Sequence, residues 1–385
     1  MPDYQEGSRN ACDCFARPGG LDYPRVARSS LPLIISLSVI VSLGVVPRAM
    51  SSQPDAVRHD PALSRLQTEI ERLAQTAGGT VGVGAHHIEA GRQIYVNRAE
   101  RFPMGSTFKI PLAVQLLALV DQGMVSLDKP ITVQTSDLRP GSGTLVKLFD
   151  ESRPTWSLRQ LLELMLINSD NSATDIIWKE AGGREPVMGR LAALGIRGMS
   201  VDRPTALLVA AVLGIEPPPP EAERTPARFR ELIRTVSRTK RDAAAAAFFK
   251  DRRDSATPEA MADLLVKIWR QQALSPDHSA LLLDIMYRCA TGRGRLRGML
   301  PRGAKVAHKT GTLRIGVTND VGIIPLPGGA GHIAIAVFIK ESTGDLPTQE
   351  RTIAEIARAI YDYFASNPIA ASVGGPVASD LTRYN

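Results

Sequence analysis

Apolar positions recur every three or four residues in some stretches and every second residue in others, and these two periods divide the chain. Leu63, Leu66, Ile70 and Leu73 keep helical spacing until Gly78-Gly79, which stops the helix. Val81 to Ile88 and Gln93 to Val96 then read as two strands around a turn at Gly91, a hairpin. From Ser106 to Thr291 nearly every periodic segment is helical, over 106–123, 158–167, 172–181, 185–194, 258–274 and 279–289. Strand-like runs return at Lys305 to His308, Gly316 to Ile324 and His332 to Ile339, and Thr352 to Phe364 closes the pattern as an amphipathic helix. Strands at both ends around a helical middle predict an α/β fold of the α+β kind. Its antiparallel sheet is built from both chain ends and flanked by the terminal helices, with an all-helical lobe inserted over about 104–299.

The predicted organisation is a leader over 1–50, a polar linker over 51–60, a catalytic domain over 61–366 and a disordered tail over 367–385. Ser29 to Pro47 carries no charge, and its apolar part from Leu31 to Val46 follows Arg25 and Arg28, the pattern of an export signal. A cleaved signal peptide and an uncleaved anchor through 31–46 both fit that length, and either would take the catalytic part to the periplasm or outside the cell.

The net charge of +7 is local: Arg224 to Arg253 holds ten basic and three acidic residues. No basic motif with interleaved aromatics accompanies them, so a solvated helical face is expected there and nucleic acid is not an expected partner. Cys12 and Cys14 precede the apolar run, which leaves Cys289 alone in the exported part. That excludes an intramolecular disulfide there, and Cys289 reads as a buried small hydrophobe. His86 and His87 are adjacent and the other four histidines stand far apart. No metal-ligand spacing arises, so neither a metal nor a cofactor is implied.

Ser-x-x-Lys occurs at Ser106-Lys109, Ser126-Lys129 and Ser237-Lys240, and context separates the three. Ser106 follows the turn-prone Phe102-Pro103-Met104-Gly105 and opens the apolar helix of Ile110, Leu112, Leu116 and Leu117. Its hydroxyl therefore sits where free backbone N–H groups favour negative charge, with Lys109 one turn on along the same face. A serine is a poor nucleophile until a base accepts its proton, and a desolvated lysine can be that base. Ser169-Asp170-Asn171 occurs between two helices, and Lys309-Thr310-Gly311 lies on a strand that the predicted sheet sets beside the Ser106 helix.

In this order the three motifs are those shared by class A β-lactamases and penicillin-binding proteins. The stretches Phe102 to Lys109, Ser169 to Thr174, Thr257-Pro258, Val306 to Thr312 and Thr318 to Gly322 resemble class A β-lactamases more specifically, within about 61–366. That resemblance implies that Ser106 attacks an acyl amide, Lys109 helps take its proton and Ser169 passes a proton to the departing nitrogen. It further implies that Lys309 supplies positive potential and Asn171 holds the substrate's side-chain amide. Thr310 and Thr312, with Gly311 between them, would meet the carboxylate, and the backbone N–H groups of Ser106 and Thr312 would form the oxyanion hole. Asp170 reads as a buried structural carboxylate. Arg314 and Arg295 are weaker candidates for carboxylate recognition. The implied substrate is a small-molecule β-lactam or a cell-wall peptide, acted on by a monomer.

One part of the family pattern is broken. After the helical middle, the family has a loop that opens with Arg, carries Glu two residues later and positions the water that hydrolyses the acyl-enzyme. Here Arg203 is followed by Pro204-Thr205, so Thr205 stands at the glutamate position and Val209 at that of a later asparagine. The loop's far end is recognisable at Asp254, expected to pair with Arg203 across an insertion over 207–253. The expected function is β-lactam hydrolysis. Two alternatives follow from the same residues: a penicillin-binding sensor with slow deacylation, and a D-Ala-D-Ala peptidase. If an insertion glutamate replaces the missing base, Glu216 is the first candidate, with Glu221, Glu223 and Glu231 behind it.

Overall fold

The computed structural model describes residues 60–149 and 154–367; the apolar leader, the linker up to residue 59 and the tail from 368 lie outside the described residues. The chain opens with α1 (Pro61–Ala74), the hairpin β1 (Thr80–His87) and β2 (Arg92–Val96), and a short β3 (Phe102–Pro103). A tight turn over Gly105–Phe108 leads straight into α2 (Lys109–Asp121). The lobe continues through β4 (Pro130–Thr132), α3 (Leu145–Leu148), β5 (Thr155–Ser157), α4 (Leu158–Ile167), α5 (Asn171–Glu180) and α6 (Arg184–Ala193). Then come α7 (Thr205–Leu213), α8 (Pro226–Thr235), α9 (Arg238–Lys250), β6 (Ser255–Ala256), α10 (Pro258–Trp269) and α11 (Pro276–Tyr287). Strands β7 (Ala307–Leu313), β8 (Val317–Pro325) and β9 (His332–Lys340) and the helix α12 (Leu346–Ser366) complete the unit.

The main sheet has the order β2-β1-β9-β8-β7, antiparallel at every pairing. It joins the two chain ends as the periodicity predicts. One apolar layer lies between this sheet and α1 and α12, where Ile70, Val83, Ile335, Ile353, Ile356 and Phe364 are buried. The other packs the opposite face and the lobe around α2, whose Ile110, Leu112, Leu116 and Leu117 are fully buried. Each such side chain contributes about 1.5–3 kcal/mol of transfer free energy.

Element ends differ from the periodic reading where capping, rather than apolar spacing, sets them. Asp60 caps α1 through Ala62 N at 2.9 Å and Leu63 N at 3.1 Å, so residue 60 belongs to the domain and not to the linker. Asp345 and Ser275 likewise start α12 and α11 earlier than the apolar pattern does. Helix α10 stops at Trp269, although Ala273 and Leu274 continue the burial as irregular chain. Strand β7 runs beyond His308 through the whole of Lys309-Thr310-Gly311. The insertion holds the amphipathic α8, with Phe229 buried, and also α7 and the alanine-rich α9, neither of which shows a one-sided stripe. Among the described residues no helix is long and apolar enough to cross a membrane.

Candidate active site

The turn before α2 is shaped by contacts that a local motif cannot reveal. The Asn319 amide, from β8, donates to Pro103 O at 2.8 Å and to Met104 O at 2.9 Å. Gly105 takes φ +50°, a backbone conformation that a Cβ disfavours. A Cβ on Gly311 would lie 2.3 Å from Met104 O and 3.2 Å from Ser106 N, so β7 approaches this turn only because residue 311 has no side chain. Ser106 is left partly exposed at the mouth of the gap while Lys109, one turn on, is fully buried.

The third wall is the loop before α5. Ser169 adopts φ +58°, a left-handed conformation that costs roughly 1–2 kcal/mol for a residue with a side chain. Asp170 holds it there. Its carboxylate accepts from Ala173 N at 2.9 Å, capping α5, and from Thr144 N at 2.7 Å and Leu145 N at 2.6 Å. Asp170 is thus a structural carboxylate.

Around this frame the expected residues meet. The Lys109 amine donates to Ser169 O at 2.7 Å, Ser169 Oγ at 3.2 Å and Asn171 Oδ1 at 3.0 Å. From β7, Lys309 Nζ donates to the same Ser169 Oγ at 3.0 Å and to Thr310 O at 2.9 Å. Burial pushes Lys109 well below the ordinary lysine range, and the charge of Lys309 pushes it further, against Asp170 and Asp175. Burial lowers Lys309 to about 8, with Arg295 adding to the effect and Cys289 and Asp320 resisting it. Asn171 is engaged at both ends, since its Nδ2 donates to Pro140 O at 2.8 Å.

The arginine candidates part company. Arg295 donates to Thr312 Oγ1 at 2.8 Å, Gly311 O at 3.1 Å, Asn319 O at 2.9 Å and Glu350 Oε1 at 3.0 Å. It is buried behind β7 and holds Thr312, in place of the direct carboxylate contact expected of it. Arg314 is exposed in the turn after β7.

The broken loop is closed at its base as expected, Arg203 Nε donating to Asp254 Oδ2 at 2.5 Å. Inside it the chain turns at once into α7. Asp175, on α5, accepts from Thr205 N at 2.6 Å and Ala206 N at 3.3 Å, and Arg139 Nε donates to it at 2.8 Å. Asp175 and Arg139 were not among the expected site residues; the available signal was that Asp175 lies four residues after Asn171 on a predicted helix, hence on its face. The insertion glutamates stand exposed or engaged with other side chains. Glu216 is exposed, Glu221 pairs with Lys179 at 2.9 Å, and Glu223 and Glu231 pair with Arg228 at 3.5 and 2.7 Å. Among the described residues none of the four shares a hydrogen bond or ion pair with Ser106, Lys109 or Ser169.

Comparison with known proteins accords with this geometry. Residues 65–364 match the model of the β-lactamase enzyme family. The extended-spectrum β-lactamase PER-1 of Pseudomonas aeruginosa is 29% identical over 304 residues, covering 77% of this chain and 87% of that protein. The carbapenem-hydrolyzing β-lactamase KPC of Klebsiella oxytoca is 27% identical over 77% of this chain and 88% of its own length. The crystal structure of the TLA-1 extended-spectrum β-lactamase matches with a TM-score of 0.64 and 29% identity, over 79% of this chain and 99% of that one. An ancestral class A β-lactamase matches with a TM-score of 0.63 and 30% identity, over 77% and 99% of the two chains. With the three motifs gathered around one gap and this match running almost from α1 to the end of α12, the chain belongs to the β-lactamase enzyme family, as a class A serine member.

Proposed function

We propose that this protein opens β-lactam rings through an acyl-enzyme on Ser106. The observation that carries the reading is the convergence of the Lys109 and Lys309 amines on one hydroxyl, Ser169 Oγ, beside the Ser106 turn. Lys109, whose hold on its proton is weakened by burial, takes the Ser106 proton as the oxygen attacks the ring carbonyl. The new oxyanion is met by the backbone N–H groups of Ser106 and Thr312, each worth roughly a hundredfold to a thousandfold. The C–N bond then breaks, and a proton relayed from Lys109 through Ser169 goes to the departing nitrogen. Lys309, Thr310 and Thr312 receive the substrate carboxylate, and Asn171 exchanges its contact with Pro140 for the substrate's amide.

Deacylation is the weak step. Thr205 brings no general base, and the α7 start is tied to Asp175. This favours a second reading, a penicillin-binding sensor that acylates and clears slowly. We also propose that residues 61–366 act as a monomer outside the cytoplasm, sent there or anchored there through 31–46. The deciding experiment follows a chromogenic cephalosporin through the burst and the steady rate, with mass spectrometry of the protein. A Ser106 adduct that clears, absent in Ser106→Ala, supports the hydrolase; an adduct that persists supports the sensor. Neither product nor adduct on the folded protein would overturn both.

A further inference from the structure

Cys289, just past α11, is buried, and its Sγ lies 3.4 Å from Thr291 Oγ1. Thr291 Oγ1 in turn lies 2.6 Å from Thr310 Oγ1. Sulfur and two hydroxyls thus stand in series, ending on the Lys-Thr-Gly residue that meets the substrate carboxylate in the function proposed above, on which this inference rests. The sulfur also lies 4.0 Å from Thr291 O, a weaker contact.

A hydroxyl owns one proton, so when every contact of the series is made its protons run in one of two directions. If the sulfur donates, Thr291 donates to Thr310 and Thr310 donates to the carboxylate. If the sulfur accepts, as a thiolate must, the Thr291 proton turns to sulfur and the Thr310 proton turns to Thr291. An arriving carboxylate then meets lone pairs. We propose that Cys289 is a positioning residue that sets the donor direction of the Thr291–Thr310 pair, and so decides whether Thr310 offers a proton to an anionic substrate.

The surroundings of the sulfur place both orders within reach. His308 on β7, whose Nδ1 is held by Asp320 of β8 at 2.8 and 2.9 Å, stands beside it with Lys309. Burial resists ionisation, but His308 and then Lys309 outweigh it and bring the thiol down to about 6. His308 is lowered by burial and raised more strongly by Asp320 and the thiol, to about 9. Arg295 faces Lys309 from the segment after α11, and Arg288 is occupied by Glu163 and Asp284. Below about pH 6 the thiol donates and Thr310 binds the carboxylate well; as pH rises through 6 the order reverses and binding weakens.

The test is stopped-flow acylation of the full chain by a chromogenic cephalosporin from about pH 5 to about 9, in the wild type, Cys289→Ser and Thr291→Val. The expected wild-type result is an apparent KM that rises about fivefold across pH 6, the ordinary worth of one hydrogen bond. Its limiting acylation rate should share one pH profile with both variants. In Cys289→Ser, which keeps a donor but cannot ionise, and in Thr291→Val, the step at 6 should vanish while the rise near 8 from Lys309 remains. A wild type without the step, or a serine variant that retains it, overturns this inference and leaves the hydrolase intact. Failure of the folded wild type to acylate at any pH overturns the proposed function, and this inference with it. As a second measurement, the ultraviolet thiolate absorbance of wild type minus Cys289→Ser should titrate near 6; a midpoint above about 8 counts against the proposal.

Discussion

The backbone N–H of Thr205 donates to Asp175 Oδ1 at 2.6 Å, which ties the first turn of α7 to α5 where the family carries its deacylating glutamate. The Thr205 hydroxyl is buried and has no hydrogen-bond partner among the described residues. Loss of a general base costs about a hundredfold to ten-thousandfold, and here that cost falls on the second half-reaction. Mixing with a chromogenic cephalosporin should release about one equivalent quickly and further product slowly. Thr205→Glu should speed the slow phase at least tenfold; a steady rate equal to the burst rate in the wild type would remove the argument.

The two amines on Ser169 make opposite demands on protonation. Lys109 serves as base when neutral, whereas Lys309 attracts a carboxylate only while charged. Because Lys309 is lowered to about 8, its attraction is complete below that pH and is lost as pH rises through it. The acylation kcat/KM should therefore fall above about 8. In Lys309→Arg, whose guanidinium stays charged, the fall should move to higher pH. Lys109→Ala should slow acylation by about a hundredfold or more at every pH, read by the rate of adduct formation.

Arg203 and Asp254 form a buried pair that closes the insertion at its base, and Asp254 also accepts from Asp202 N at 2.7 Å and Arg203 N at 3.0 Å. Removing the cation alone leaves a buried carboxylate uncompensated. Arg203→Ala should cost about 3–5 kcal/mol in urea unfolding, and Arg203→Lys, which keeps the charge, should cost less. Equal losses in the two would show that the side chains are valued for packing and not for charge.

Arg295 touches Thr312 and the carbonyls of two strands, whereas Arg314 is exposed in the turn after β7. Arg295→Ala should raise the apparent KM by about tenfold, because Thr312 loses a charged partner. Arg314→Ala should change it less than about twofold. The reverse order in steady-state kinetics would return Arg314 to the site.

The sequence by itself determined the sheet of the two chain ends and the helical lobe, and it offered Ser106, Lys109, Ser169 and Lys309 as a candidate set. Those features are periodic or contiguous, and a period or a motif lies within one stretch of chain. It also revealed what was missing at Thr205, since an absence from a motif is as local as a presence. The tertiary structure decided the rest. Arg139, Asp175 and Thr205 meet from a loop and two helices, and Cys289, Thr291 and Thr310 line up between the end of α11 and β7. Cys289 read as a small apolar residue because burial alone follows from composition, whereas a thiol's charge depends on which groups the fold sets beside it. Helix α9 escaped notice for a related reason: its alanines have high helix propensity but no apolar stripe, so its place depends on Phe248 docking into the lobe core.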